Sequence, residues 1–153
     1  MIKVFVSGSI SIKILPQLAI QKLDLIISKN LQILVGDANG VDSLIQRYLF
    51  NKNYSNVNVY HVGTHIRNNI GQWPTVSIDS KNLSGRAMYT QKDKQMALDS
   101  NFGLMIWDGK SKGTKANIEE MLSLNKHFYV IQNDSLNTDK QFVKEKVVQL
   151  TLF

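Results

Sequence analysis

The chain contains no cysteine. This absence excludes disulfide bonds, cysteine-ligated zinc and a cysteine nucleophile, and it fits folding in a reducing compartment, so we expect a cytoplasmic location. No apolar run approaches the roughly 18–20 residues that a transmembrane helix needs, so a membrane partner is not expected. Residues 1–8 lack the apolar core and cleavage site of a signal peptide and are predicted to contain a first strand.

Arginine is scarce, since only Arg47, Arg67 and Arg86 stand among the 18 basic residues. The formal net charge of +6 attracts anions such as nucleotides and nucleic acid. Because arginine supplies the planar fork on which nucleic-acid recognition depends, a charge carried mainly by lysine favours general solubility over a nucleic-acid surface. Binding of single-stranded nucleic acid therefore remains an alternative rather than the first expectation.

The length of 153 residues and the hydrophobic content of 43% suit one domain with one core. No internal repeat or linker interrupts the chain, so we predict a single domain over residues 1–153. The histidines His61, His65 and His127 are scattered and lack carboxylates at a metal-ligand spacing, so no metal site is predicted.

Short apolar runs alternate with helical periodicities, a pattern that predicts an α/β fold with a mainly parallel, doubly wound sheet and helices on both faces. Strands are predicted at residues 2–6, 31–35, 57–62, 102–107 and 128–131. Helices are predicted from about Pro16 to Asn30, from Val41 through Leu49, from a cap at Thr90 to Ser100, and from Lys112 or Thr114 to Leu124. The spatial order third, second, first, fourth, fifth would bring three strand-to-helix turns together.

In two segments the sequence does not predict a single regular secondary-structure element. Residues 63–85 read as a long irregular loop, which in a compact domain is usually functional or mobile. Trp73 within it is either a lid that stacks on a base or a side chain buried under the loop. The tail after Asn133 is predicted as either a late edge strand or a docked helix.

Two glycine-rich turns each follow an apolar run. One reads Gly-Asp-Ala-Asn-Gly-Val-Asp at residues 36–42, and the other reads Trp-Asp-Gly-Lys-Ser-Lys-Gly-Thr at residues 107–114. A strand that runs into such a turn and then into a helix leaves N–H groups unpaired at the helix start, where they and the helix dipole attract an anion. Two such turns predict a site for a phosphorylated ligand, and a nucleotide is the expected one.

The predicted ligand-binding residues come from the turns after the first, second and fourth strands and from the helix before the fourth strand. They are Ser7, Gly8, Ser9, Gly36, Asp37, Ala38, Gly40, Asp42, Arg86, Lys92, Trp107, Asp108, Gly109, Ser111, Lys112, Gly113 and Thr114.

Each of these residue types can contribute to a ligand site in its own way. Glycines let the backbone approach a phosphate, and the hydroxyl and lysine side chains of the last turn add donors and charge. Asp37 or Asp42 can accept from a ribose hydroxyl, although Asp42 can equally cap its helix. Trp107 either stacks on a base or packs in the core. Lys92 and Asp93 form a candidate acid/base or ribose-binding pair.

The order of these motifs over about residues 2–131 resembles the SLOG superfamily of Rossmann-like nucleotide-binding proteins. That group includes the lonely-guy phosphoribohydrolases and the DNA-processing protein A family. The turn at residues 36–42 is similar to the Gly-x-Ala-x-Gly-hydrophobic-Asp turn of the DNA-processing and small stand-alone branches. Residues 92–97 resemble the Arg-x-x-x-Met helix of the hydrolases, and residues 108–114 resemble their Gly-Gly-x-Gly-Thr turn.

The resemblance implies nucleotide binding, frequent dimer formation and no cofactor beyond the nucleotide-type ligand itself. Two departures weaken the implied phosphoribohydrolase reaction: Asn117 stands where those enzymes carry a glutamate, and Lys92 is the basic residue nearest the place of their arginine. The candidate catalytic residues are therefore Asp93 and Asn117. A nucleotide sensor or processing protein is the main expectation, and the alternative is an N-glycosidic-bond hydrolase or transferase in which Asp93 or Asp37 supplies the carboxylate.

Overall fold

The computed structural model describes residues 1–133 and the two-residue strand Phe142–Val143. Six strands run parallel: β1 (Lys3–Gly8), β2 (Gln32–Gly36), β3 (Val57–Val62), β4 (Thr75–Ile78), β5 (Phe102–Trp107) and β6 (His127–Gln132). They lie in the order β4-β3-β2-β1-β5-β6, and the segment Phe142–Val143, β7, pairs antiparallel with β6. The predicted α/β fold with a mainly parallel sheet is confirmed.

Four helices cover the two faces of the sheet: α1 (Gln17–Ser28), α2 (Val41–Asn51), α3 (Gly85–Asp99) and α4 (Lys112–Ser123). Alternate residues of each strand face opposite sides. In β1, Val4 and Val6 belong to the core that α1 and α2 complete, whereas Phe5 packs in a second core with Met96 of α3 and Met121 of α4. Because both faces of the central strands are buried, β1, β2 and β5 are mainly apolar, whereas β4 is half exposed.

The strand register brings the carboxyl ends of the central strands level with one another. Gly8 lies opposite Ile106, one residue before the end of β5. Val6 lies opposite Val35, one residue before the end of β2. The turns after β1, β2 and β5 therefore leave the sheet at the same edge, as the predicted order required.

Two expectations about the segment between β3 and β5 are wrong. Residues 63–85 contain the edge strand β4, which is short, half exposed and preceded by Pro74, so its pattern is weak. Helix α3 begins at Gly85 and not at Thr90, whose hydroxyl donates to the Arg86 carbonyl inside the helix at 2.8 Å. Only Lys92, Met96 and Ala97 of α3 are buried, which leaves its first two turns without an apolar signal.

The remaining boundaries differ from the prediction in small ways. Pro16 is the residue before α1, and α4 starts at Lys112. Gly40 occupies the cap position of α2, so Asp42, which stands in the first turn, is not its N-cap, and that one of the two alternatives for this residue is wrong. Of the tail after Asn133, the prediction falls outside the described residues except for Phe142–Val143, which form an edge strand.

Candidate functional site

A cleft of about 570 Å³ opens where the order of the strands reverses, between β1 and β5. The strand order runs outward from β1 to β4 on one side of this point and from β5 to β6 on the other. The loops that follow β1 and β5 therefore diverge and leave a space between them. One wall comes from the β1 turn and the start of α4. The other comes from α3 together with Arg67, which precedes β4.

The start of α4 forms one end of the cleft. Among the described residues, the N–H groups of Lys112, Gly113 and Thr114 have no acceptor, and the first intrahelical bond runs from Lys115 N–H to the Ser111 carbonyl at 3.3 Å. A Cβ placed on Gly113 would meet no atom within 4 Å, and all three residues line the cleft, so the start of α4 borders open space. Unpaired N–H groups at the positive end of a helix dipole attract anions.

A cluster of hydroxyl groups holds this helix start against β1. Ser9 Oγ lies 2.6 Å from Ser111 Oγ and 3.3 Å from Thr114 Oγ1, and it accepts from the Asp108 N–H at 3.0 Å. Ser9 is 1% exposed. Its hydroxyl therefore fixes the turn from within.

Asp108 closes the turn between β5 and α4. Its carboxylate accepts from Ser11 Oγ at 2.6 Å and from the N–H groups of Lys110 and Ser111 at 2.8 and 2.7 Å. Burial alone would raise the pKa of Asp108, but these hydrogen bonds outweigh it and lower the pKa to about 2. The carboxylate is thus committed to the turn and is a weak candidate for contact with a ligand.

Helix α3 presents a polar face to the cleft. Arg86, Tyr89, Thr90 and Asp93 all line it, at positions i, i+3, i+4 and i+7 of the helix. The guanidinium of Arg67 stacks over the Tyr89 ring at 4.0 Å from the centroid. The later predicted helix start hid this face, because Arg86 and Tyr89 lay outside that helix.

A buried charged cluster lies at the α3 side of the cleft. Lys92 is 3% exposed, and its Nζ lies 3.5 Å from Asp93 Oδ1, 3.8 Å from Asp37 Oδ1 and 3.9 Å from Asp42 Oδ2. A Cβ on Gly36 would lie 2.5 Å from both Lys92 Nζ and Asp42 Oδ2. Glycine at this position therefore makes room for the cluster.

Asp37 is held from the opposite side by Arg67. The Arg67 Nη2 donates to Asp37 Oδ1 at 2.7 Å, and the Arg67 N–H donates to Asp37 Oδ2 at 2.9 Å. Burial by itself would raise the pKa of Asp37, but these hydrogen bonds and the charge of Lys92 outweigh it and lower the pKa. Asp37 is 1% exposed and does not line the cleft, and its carboxylate is engaged by Arg67 and Lys92.

Burial and neighbouring charges together explain the pKa values of Asp42 and Lys92. Burial raises the pKa of Asp42 to about 6, with Lys92 and a hydrogen bond from the Ala38 N–H acting against it. Burial would lower the pKa of Lys92, but the charges of Asp93, Asp42 and Asp37 outweigh that effect and raise it. Lys92 is therefore a cation at neutral pH.

Most predicted site residues meet in this cleft. Those that line it are Ser7, Gly8, Ser9, Ala38, Asp42, Arg86, Lys92, Asp93, Asp108, Ser111, Lys112, Gly113, Thr114 and Asn117. Those that do not line it are Gly36, Asp37, Gly40, Trp107 and Gly109.

The predicted residues outside the lining support the turns instead. Gly40 has a φ of +77°, and a Cβ there would lie 2.4 Å from Ile10 Cα. Trp107 donates from its indole N–H to the Ser111 carbonyl at 3.0 Å, which braces the start of α4. Gly109 lies against the Gln132 side chain, away from the cleft.

Asn117 lies on the cleft wall, where its Nδ2 donates to Ser7 Oγ at 3.2 Å. Ser7 in turn contacts Met105 Sδ at 3.2 Å. The proposed stacking lid is contradicted: Trp73 is 7% exposed, belongs to the core and donates to the Tyr54 carbonyl at 2.9 Å.

Six residues that line the cleft were missed: Ile10, Ser11, Lys13, Arg67, Tyr89 and Thr90. The helical spacing from Arg86 to Asp93 could have identified Tyr89 and Thr90. Arg67 carried no local signal, because its partner Asp37 lies 30 residues earlier in the chain.

Within the described part of the chain, no helix is long and apolar enough to span a lipid bilayer. No protein-family model, curated protein or solved structure matches the sequence or the fold at a significant level.

Proposed function

We propose that this protein binds a nucleotide or a nucleotide-derived small molecule in the cleft between β1 and β5, with a phosphate at the start of α4. The observation that carries the proposal is the set of unpaired N–H groups at Lys112, Gly113 and Thr114, three residues that line the cleft at the reversal point of the sheet. Lys13 and Lys112 line the same cleft and add positive charge.

The size and chemistry of the cleft support a ligand of this class. A volume of about 570 Å³ lies within the range of small-molecule sites. Its walls combine backbone donors, hydroxyl groups, cations and the aromatic ring of Tyr89. The resemblance of the two glycine-rich turns to those of the SLOG superfamily points to the same ligand class, and on that basis we also propose that the protein self-associates.

A thermal-shift screen against nucleoside mono-, di- and triphosphates, NAD and ADP-ribose tests this proposal. A ligand at about 100 times its dissociation constant adds about 2.7 kcal/mol of stability, which is readily seen. Gly113→Asp places a carboxylate at the proposed phosphate position without a steric clash, and negative charge at a helix start favours the fold. We expect this variant to fold and to lose the ligand-induced shift.

Ala116→Asp is the matched control, because it adds the same charge to α4 on an exposed residue outside the cleft. It should retain the full ligand-induced shift. Equal ligand-induced thermal shifts in Gly113→Asp and in the wild type would show that the start of α4 is not part of the binding site.

A second candidate, cleavage of an N-glycosidic bond, is favoured by one observation. Asp93 lines the cleft, its side chain is 24% exposed, and among the described residues it makes no hydrogen bond, only the ion pair with Lys92. Asp37 and Asp42 are buried, and the donors around Asp108 occupy its carboxylate. Asp93 is thus the carboxylate with free acceptor capacity, as a general base requires.

In this reaction Asp93 takes a proton from water as the water oxygen bonds to the anomeric carbon. The C1′–N bond breaks, and the base leaves with the bonding electrons and is then protonated. Asn117 cannot take a proton, so its role in this reaction is to bind the ligand. Chromatographic detection of free base from nucleoside 5′-monophosphates, lost in Asp93→Asn, would support the reaction. Intact nucleotides after long incubation with a ligand-saturated protein would exclude it.

A further inference from the structure

The two ends of the cleft differ in charge. At the α4 end, free N–H donors stand beside Lys112. At the α3 end, Asp37, Asp42 and Asp93 surround Lys92, and Arg67 pairs with Asp37. Three carboxylates against two cations leave this cluster with one net negative charge, which Arg86 on the α3 face of the cleft balances. The Lys92 cluster by itself therefore offers a phosphate no net attraction, whereas the unpaired N–H groups at the α4 start attract one.

Lys92 has donor capacity that the protein does not use. Its Nζ lies within 4 Å of three carboxylates, yet over residues 1–133 it hydrogen-bonds to none of them. The side chain is almost wholly buried and lines the cleft. Three ion pairs stabilise the ammonium, and because Lys92 lines the cleft its Nζ can also donate to an acceptor supplied from the cleft.

Asp93 is the complementary group, an acceptor with unused hydrogen-bonding capacity. Its carboxylate lines the cleft 3.5 Å from Lys92 Nζ and has free acceptor positions. A donor and an acceptor side by side match a hydroxyl group, which both accepts and donates. Two adjacent hydroxyls can use both groups at once, whereas an anion would be repelled by the carboxylate and a cation by the ammonium.

We propose that Lys92 and Asp93 form a subsite for the vicinal hydroxyls of a sugar, so that the ligand is a ribose phosphate compound rather than its 2-deoxy counterpart. This inference rests on the proposed function, since the phosphate at α4 orients the ligand. Asp93 accepts from one hydroxyl and Lys92 donates to its neighbour. Discrimination arises because the deoxy compound lacks one of the two hydroxyls and so forms one charged hydrogen bond fewer with Lys92 or Asp93.

Ribose 5-phosphate, 2-deoxyribose 5-phosphate and inorganic phosphate are suitable probes because none of them depends on the identity of the base. Dissociation constants are measured by titration calorimetry on the full chain. We expect ribose 5-phosphate to bind about tenfold more tightly than 2-deoxyribose 5-phosphate, as one hydrogen bond to a charged group implies. Phosphate should bind most weakly and should be lost in Gly113→Asp.

Asp93→Ala should reduce the ratio between the two sugar phosphates to about one while phosphate binding persists. Glu119→Ala, which removes an exposed carboxylate of α4 outside the cleft, should leave the ratio unchanged. Equal affinities for the two sugar phosphates in the wild-type protein would overturn this inference alone. Absence of binding by every probe would overturn it together with the proposed function. The wild-type comparison needs no variant, so a folding defect in Asp93→Ala does not weaken the test.

Discussion

At the scale of single residues, the charged cluster depends on the absence of a side chain at Gly36. A methyl group there would come within 2.5 Å of Lys92 Nζ and Asp42 Oδ2, both of which are confined by burial. The cluster residues come from the β2 turn, the start of α2 and the middle of α3, so no local pattern could predict that they meet. The sequence identified Lys92 and Asp93 as a pair and Asp37 and Asp42 separately, all as candidates for contact with a ligand, and it did not predict that the four meet.

Gly36→Ala should destabilise the protein by about 1–3 kcal/mol, the usual cost of overpacking a filled site. Gly113→Ala, the same substitution where a Cβ meets no atom, should be neutral or stabilising by up to about 1 kcal/mol, because alanine favours helix. Urea unfolding with an unchanged m-value measures both. Equal effects of the two substitutions would contradict the crowding around Gly36.

Asp42 should give the stability a distinctive pH dependence. Its pKa is about 6 in the folded protein against 3.8 for the ordinary group, so the folded state binds more protons between these values. The free energy of unfolding contributed by Asp42 therefore rises as the pH falls from 7 to 5, by roughly 1 kcal/mol. Asp37 and Asp108, whose pKa values are lowered, contribute stability that is lost only at more acidic pH.

The variant Asp42→Asn isolates this contribution, since its amide oxygen can still accept from the Ala38 N–H. The difference in unfolding free energy between wild type and Asp42→Asn should shift in favour of the wild type between pH 7 and pH 5. Urea unfolding at several pH values measures it. Parallel pH profiles for the two proteins would contradict the raised pKa of Asp42 in the folded state.

At the scale of elements, α3 carries most of what the sequence did not reveal. Its buried residues include a lysine, and its first turns offer polar side chains to the cleft rather than an apolar stripe to the core. The end of the helix is secured from outside: Lys126 Nζ donates to the carbonyls of Ala97, Leu98 and Ser100 at 2.6 Å each. A cation at a helix C-terminus also complements the dipole.

Lys126→Met should destabilise the protein by about 1 kcal/mol, because three carbonyls lose a charged donor at the end of α3. Lys94→Met removes the same charge from an exposed position of α3 and should change stability by less than about 0.5 kcal/mol. Thermal and urea unfolding of the two variants provide the comparison. A loss in Lys94→Met equal to that in Lys126→Met would indicate a general charge effect in place of a cap.

At the scale of the whole molecule, the order of five parallel strands was predictable and the sixth was not. Buried parallel strands are apolar on both faces, so β1, β2, β3, β5 and β6 stood out as short hydrophobic runs. Edge strand β4 has one neighbour and alternates between half-buried and exposed residues, so it lacks that signal. The place of the cleft followed from the strand order, whereas the division of charge between its ends required side-chain positions.

An anion at the start of α4 is the central feature of the proposed site, and amide NMR tests for it directly. In a ¹H–¹⁵N spectrum, addition of a nucleoside 5′-monophosphate should move the amide protons of Lys112, Gly113 and Thr114 downfield in a saturable manner, because each N–H gains a charged acceptor. Saturable binding with shifts confined to other regions, and these three amides unchanged, would contradict the central claim.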